Sequence, residues 1–176
     1  MEQLEELMCV LGRLKDLPRS GWLRKNVEGP ESVAAHSYGV ILLTFLLAPS
    51  DLDKYKCLKM AIIHDLQEAL VGDITPFDGV TKKEKNNLEK QAVKELAKKL
   101  DFPELENLFS EYEAMKTPEA IFVKDIDRLE AVLQAKYYDN NNRSQENLVD
   151  EFSQYAKKCM SGKNLEISDI LDKLSS

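Results

Sequence analysis

At 176 residues the chain has the length of one domain, and 43% hydrophobic with 31% charged residues describes a soluble globule with a sizeable core. A formal charge of -7 excludes the broad basic face on which general nucleic-acid binding depends, so no nucleic-acid partner is expected. The longest apolar run, Val40 to Ala48, is too short to cross a bilayer, and no basic-then-apolar leader follows Met1, so a cytoplasmic protein without a membrane partner is expected.

In chain order, Leu4, Leu7, Met8, Leu11 and Leu14 repeat at helical spacing, and Pro18 ends that helix. Arg19-Ser20-Gly21-Trp22 reads as a loop. A second helix starts near Pro30-Glu31-Ser32 and runs through His36 to Leu47, before Pro49. Ser50 or Asp51 is placed to cap a third, which continues through Met60 to Val71 and stops at Gly72. Asp73 to Gly79 is rich in turn residues, and Thr81-Lys82-Lys83-Glu84 is a capping-box pattern that opens a helix to about Leu100. Further helices are expected from Pro103 to Met115, from Thr117 to Tyr138, from Ser144 to Met160 and from Ser168 to Leu174. No stretch alternates as a strand would, so the fold class is all-α. Cys9, Cys57 and Cys159 form no paired spacing and are expected to be reduced core or near-core thiols.

The chain has only two histidines, and the second opens His64-Asp65-Leu66-Gln67-Glu68 on the third helix. On a regular helix positions i, i+1 and i+4 share one side, so His64, Asp65 and Glu68 address one space. Apolar Leu58, Ala61, Ile62, Leu66, Ala69 and Leu70 flank them, and buried charges need partners. Either His64 is a hydrogen-bonded core histidine beside two solvated carboxylates, or the three surround a cation. His36 follows Val33-Ala34-Ala35 on an apolar helix and has the same two readings, while Asp127 is a surface charge or a further ligand. Together His36, His64, Asp65 and Asp127 supply two nitrogens and two carboxylates, a mixed donor set suited to Mn²⁺, Co²⁺, Fe²⁺ or Zn²⁺.

Three stretches together resemble the HD-domain metal-dependent phosphohydrolases, and among them the small HD domain-containing 5′-deoxynucleotidases. They are Leu14-Lys15 to Trp22 with Pro30 to Ser37, His64-Asp65 to Glu68 with Val71 to Pro76, and Phe122-Val123-Lys124 to Asp127. The similarity spans about residues 4 to 138 and implies one helical HD domain over 1–176. It implies that His36, His64, Asp65 and Asp127 bind a divalent cation such as Mn²⁺, Co²⁺ or Mg²⁺. It further implies that Glu68 and Asp73 act in catalysis, or hold a second ion with the Ile74 carbonyl. Arg19 and Trp22 would frame the substrate, with Trp22 a wall against the sugar. Where relatives carry one basic residue before Asn-Val, this chain has Arg24 and Lys25. The implied activity is release of phosphate from deoxynucleoside 5′-monophosphates by a homodimer. The same centre also suits an HD-type phosphodiesterase or nucleoside triphosphohydrolase, and the reading from outside enzymology is a non-catalytic nucleotide-binding protein.

Overall fold

In the computed structural model, which describes residues 1–160 and 165–174, ten helices are defined in order. They are α1 (Glu2–Asp16), α2 (Ser20–Arg24), α3 (Val33–Leu47), α4 (Lys54–Ile63) and α5 (Glu68–Val71). These are followed by α6 (Lys82–Lys99), α7 (Leu105–Ala114), α8 (Pro118–Asn140), α9 (Leu148–Cys159) and α10 (Leu165–Leu174). Among the described residues there is no strand, only one isolated antiparallel bridge between Pro18 and Ser32. Residues 161–164 and the last two of the expected 1–176 domain lie outside the described residues.

Caps explain most boundaries. Ser32, Asp53, Thr117 and Asn147 each accept a backbone N–H of the first turn, opening α3, α4, α8 and α9, and Thr81 completes a capping box with Glu84 at α6. Pro118 sits in the first turn of α8, where its missing N–H costs nothing. The third helix therefore starts after Asp53 rather than after Ser50 or Asp51, and α9 starts at Leu148 rather than near Ser144. The stretch expected as a loop from Arg19 to Trp22 instead holds the short helix α2. It is closed at its base by Arg19 N–H to Glu31 O (3.0 Å) and Val33 N–H to Leu17 O (2.8 Å).

Helix α8 is the spine. Its Phe122, Val123, Ile126, Leu129 and Val132 join Val40 of α3 and Cys57, Met60 and Ala61 of α4 in the largest apolar cluster. A second cluster packs Val10 and Leu14 of α1 against Ile63, Ala69, Val93, Leu96, Leu105 and Phe109. A third gathers Trp22, Val27, Ala135, Tyr138, Leu148 and Val149. The cysteines are free as expected, but only Cys57 is in the core: Cys159 is half-buried and Cys9 is exposed. Cys9 falls on the outer side of α1, one residue before buried Val10 and about 100° around the helix from it.

Candidate metal centre

The sequence expectation of one continuous helix through His64 fails in a way that matters. Helix α4 stops at Ile63, and the backbone then tightens to i→i+3 hydrogen bonds: Leu66 N–H to Ile63 O, Glu68 N–H to Asp65 O and Ala69 N–H to Leu66 O. Side chains three apart eclipse in such a turn, so Asp65 and Glu68 share one edge. Gly72 then ends α5 at φ +79°, a conformation that suits glycine.

This turn meets α3 and α8. The Nε2 atoms of His36 and His64 are 3.4 Å apart. Asp65 Oδ2 lies 3.2 Å from His64 Nε2 and 3.7 Å from His36 Nε2, and Asp127 Oδ1 lies 3.1 Å from His36 Nε2. Both histidines are buried, at 0% and 1% exposure. Their other nitrogens are committed. His64 Nδ1–H donates to the Ala61 carbonyl at 2.8 Å, and His36 Nδ1–H donates to Glu130 Oε2 at 2.5 Å. A carbonyl or a carboxylate can only accept, so each Nδ1 carries a proton and each Nε2 is directed inward toward Asp65 and Asp127, where a cation would take the place of any proton it holds. The Tyr112 hydroxyl donates to Asp127 Oδ2 at 3.1 Å.

These donors fit a divalent cation. The ligand atoms of His36, His64 and Asp65 all lie within 4.8 Å of one another, and Asp127 adjoins them. Burial and the neighbouring Arg19 work to lower the His36 pKa, but the hydrogen bonds to Asp127 and Glu130 outweigh them and push it up to about 10. A group of carboxylates that draws a proton so strongly onto a buried imidazole is a group that favours positive charge. Burial works against ionised Asp65, yet the charges of His64 and Arg19 hold its carboxyl well below the usual range.

Of the remaining site candidates, Arg19 stands 3.2 Å from Asp65 Oδ2 and 3.9 Å from Asp73 Oδ2. Asp73 is fixed by the Ser20 backbone N–H at 2.8 Å, and Ser20 Oγ donates to the Asp73 carbonyl at 2.7 Å. Glu68 is buried, and its Oε2 has no hydrogen-bond partner among the described residues. Burial first, and then the charges of Asp65 and Asp73, push its carboxyl well above the ordinary glutamate value. The Ile74 carbonyl is engaged by Lys85 Nζ at 2.7 Å. Arg24 turns to Asp78 of the 73–79 loop, while Lys25 turns away to Glu146 and Glu151.

Trp22 is not brought to the cluster. It is 2% exposed, stacked on Phe152 with centroids 4.4 Å apart and edge-on to Tyr138, and its Nε1–H donates to Glu31 Oε1 at 2.8 Å. A ring so covered offers no face to a ligand in this conformation. Trp22 anchors the third apolar cluster in this conformation. Sequence reasoning missed Glu130, Tyr112, Ser20 and the Ala61 carbonyl. Only Glu130 had a legible sign, since it lies at i+3 from Asp127 on one face of α8.

A helical frame with two imidazoles and two carboxylates from α3, the turn after α4 and α8 defines a class of protein, the helical domain built around a divalent-cation centre. The chain belongs to the HD domain family, whose model matches residues 11–166. It is 41% identical over 160 residues to the protein named 5′-deoxynucleotidase HDDC2 of Dictyostelium discoideum, covering 85% of this chain and 84% of that protein. It is 36% identical over 158 residues to 5′-deoxynucleotidase HDDC2 of Homo sapiens, covering 88% and 78%. Among solved structures, the PH0347 protein from Pyrococcus horikoshii OT3 superposes with a TM-score of 0.79 at 36% identity, covering 98% of each chain. No described helix is long and apolar enough to cross a membrane.

Proposed function

We propose that the chain is a cytoplasmic metal-dependent phosphomonoesterase that hydrolyses deoxynucleoside 5′-monophosphates to deoxynucleoside and phosphate. The observation that carries this reading is the approach of His36, His64, Asp65 and Asp127 beside a buried Glu68 carboxyl whose Oε2 has no hydrogen-bond partner among the described residues. Relatives that carry the name 5′-deoxynucleotidase over most of their length support the substrate class.

In this reading the four residues hold one divalent ion, Mn²⁺, Co²⁺ or Mg²⁺. When bound, the ion polarises a phosphoryl oxygen and lowers the pKa of a water. Every other step belongs to the chain. Arg19 presents a planar fork of donors to the phosphate and exchanges part of its pairing with Asp65 and Asp73 for it. Burial and the charge of Asp65 push the Glu68 carboxyl up, toward the protonated form that delivers a proton to the departing 5′-oxygen. Asp73 is held by Ser20 at the start of α2 and orients the incoming water or the sugar. The Ile74 carbonyl accepts from Lys85 Nζ and keeps a second lone pair, so Glu68, Asp73 and Ile74 stay available to a second ion.

We also propose a homodimer. Tyr38, Leu42, Phe45 and Leu46 follow i, i+4, i+7 and i+8 along α3 and form an exposed apolar stripe, with Tyr38 63% and Leu46 72% exposed. A second copy of the chain is the occupant that would cover it.

The test is a panel of deoxy- and ribonucleoside mono-, di- and triphosphates and cyclic nucleotides with Mn²⁺, Co²⁺ or Mg²⁺, read as phosphate release. Release of phosphate from deoxynucleoside monophosphates, lost in His64→Ala, is the expected result. Pyrophosphate or triphosphate release, or cyclic-nucleotide cleavage, would replace the proposal with the corresponding phosphohydrolase. Binding without turnover under every ion would make the chain a nucleotide-binding protein.

A further inference from the structure

Behind His36, on the side away from the other donors, lies a second group: the ligand atoms of Glu31, His36 and Glu130 are within 4.8 Å of one another. This group is not a second cation site. The His36 nitrogen that faces it is Nδ1, which needs its proton to reach Glu130 Oε2 at 2.5 Å, and Glu31 Oε1 is taken by the Trp22 indole. What the group does is fix a ring.

The neighbouring backbone is shaped for it. Gly39 follows His36 by three residues, in the middle of α3. Glycine is among the poorest helix formers, and here no turn or positive φ requires it. A Cβ at Gly39 would stand 2.6 Å from Glu130 Oε1 and 2.9 Å from Glu130 Cγ. A free glutamate would swing aside at little cost. Glu130 cannot do so without giving up His36, because its other oxygen holds Nδ1.

We propose that Glu130 is a positioning residue of the centre, holding His36 in the Nδ1–H form with Nε2 directed inward, and that Gly39 is the slot that admits it. Its carboxylate raises the basicity of the ring toward a cation and bars the other tautomer. Glu130 touches neither the ion nor the substrate, and everything it does passes through His36. This inference rests on the metal-dependent reading above but not on the identity of the substrate.

The test is calorimetric titration of the metal-stripped full chain with Mn²⁺ alone, in the wild type, Glu130→Ala and Gly39→Ala. Each variant should bind Mn²⁺ more weakly, by about 10- to 100-fold for Glu130→Ala and about 10-fold for Gly39→Ala. In the Zn²⁺-loaded wild type, a downfield imidazole N–H proton of His36 should appear, and it should be lost in Glu130→Ala. With only two histidines in the chain, the other N–H, which His64 donates to the Ala61 carbonyl, should persist in Glu130→Ala and so assigns the lost signal to His36. Mn²⁺ affinity within twofold of wild type in both variants, or an unchanged His36 signal, would overturn the proposal. If Glu130→Ala fails to fold, Gly39→Ala decides alone, because it keeps every polar group and moves only the carboxylate. The titration contains no nucleotide, so a wild type that binds Mn²⁺ but releases no phosphate would sink the proposed activity and leave this result standing.

Discussion

The Nε2 atoms of His36 and His64 face each other at 3.4 Å, while Glu130 and the Ala61 carbonyl hold the two Nδ1 protons on the far sides. The Asp65 and Asp127 carboxylates stand beside that pair, so four donor groups crowd together with no positive charge but protons among them. The fold therefore carries an unfavourable contact that a cation relieves, and occupancy should stabilise the folded chain. At Mn²⁺ about 100-fold above Kd, the melting temperature should rise by roughly 5–10 °C. Scanning calorimetry with and without chelator checks this, and Asp65→Asn should lose most of the shift.

Glu68 separates metal binding from turnover. Glu68→Gln keeps the volume and removes the proton, so phosphate release should fall by about 10²–10⁴-fold. Mn²⁺ affinity should stay within about threefold, because the His36 and Asp65 chelate is intact. An equal loss of both, measured on one preparation, would make Glu68 a ligand.

Arg19 is charge-paired to two carboxylates and lies over the cluster. Arg19→Ala removes charge-assisted bonds to the phosphate, and KM for a deoxynucleoside monophosphate should rise by about 10- to 100-fold. Arg19→Lys should recover only part of it, since an ammonium lacks the fork. Steady-state kinetics at saturating Mn²⁺ gives the answer.

The two extreme cysteines should differ sharply toward thiol reagents. Burial, helped by the charges of Glu119 and Asp53, pushes the Cys57 thiol up to about 11, while Cys9 is exposed. Only the thiolate reacts, and at pH 8 its fraction at Cys57 is smaller by about 100-fold than for an unperturbed thiol. The raised pKa means that Cys57 reactivity climbs only as pH approaches 11. Mass spectrometry after brief maleimide treatment at pH 8 should find Cys9 modified and Cys57 untouched until denaturant is added.

The α3 stripe makes a prediction about mass. Light scattering should report twice the 20.1 kDa chain for the wild type. A charge in the stripe, as in Leu42→Glu with Leu46→Lys, should shift this to the single chain with helicity kept. A monomeric wild type would remove the dimer from the proposal.

The helices were legible because their apolar periods and capping residues are local, as Thr81 with Glu84 or Thr117 with Pro118 illustrate. His36, His64, Asp65 and Asp127 were legible as candidates from residue type and order. The break after Ile63 was not, because Leu66, Ala69 and Leu70 keep the apolar spacing going while the backbone tightens. Helix α2 was hidden for another reason. Ser20-Gly21 has loop composition, and the pairing of Leu17 with Val33 that closes its base joins residues sixteen apart. The lone tryptophan was ambiguous by nature, since an indole suits a ligand wall and a core equally, and only the neighbours Tyr138 and Phe152 decide. Glu130 and Tyr112 depend on how α8 meets α3 and α7, which no local pattern reveals.

The Pro18–Ser32 bridge makes the stretch between them a drawstring purse whose neck is tied before its contents begin. Arg19 and Ser20 sit at the knot, and beyond it Trp22 and Val27 are sewn into the third apolar cluster. The guanidinium is therefore set against Asp65 by the neck itself and not by the exposed turn at Asn26.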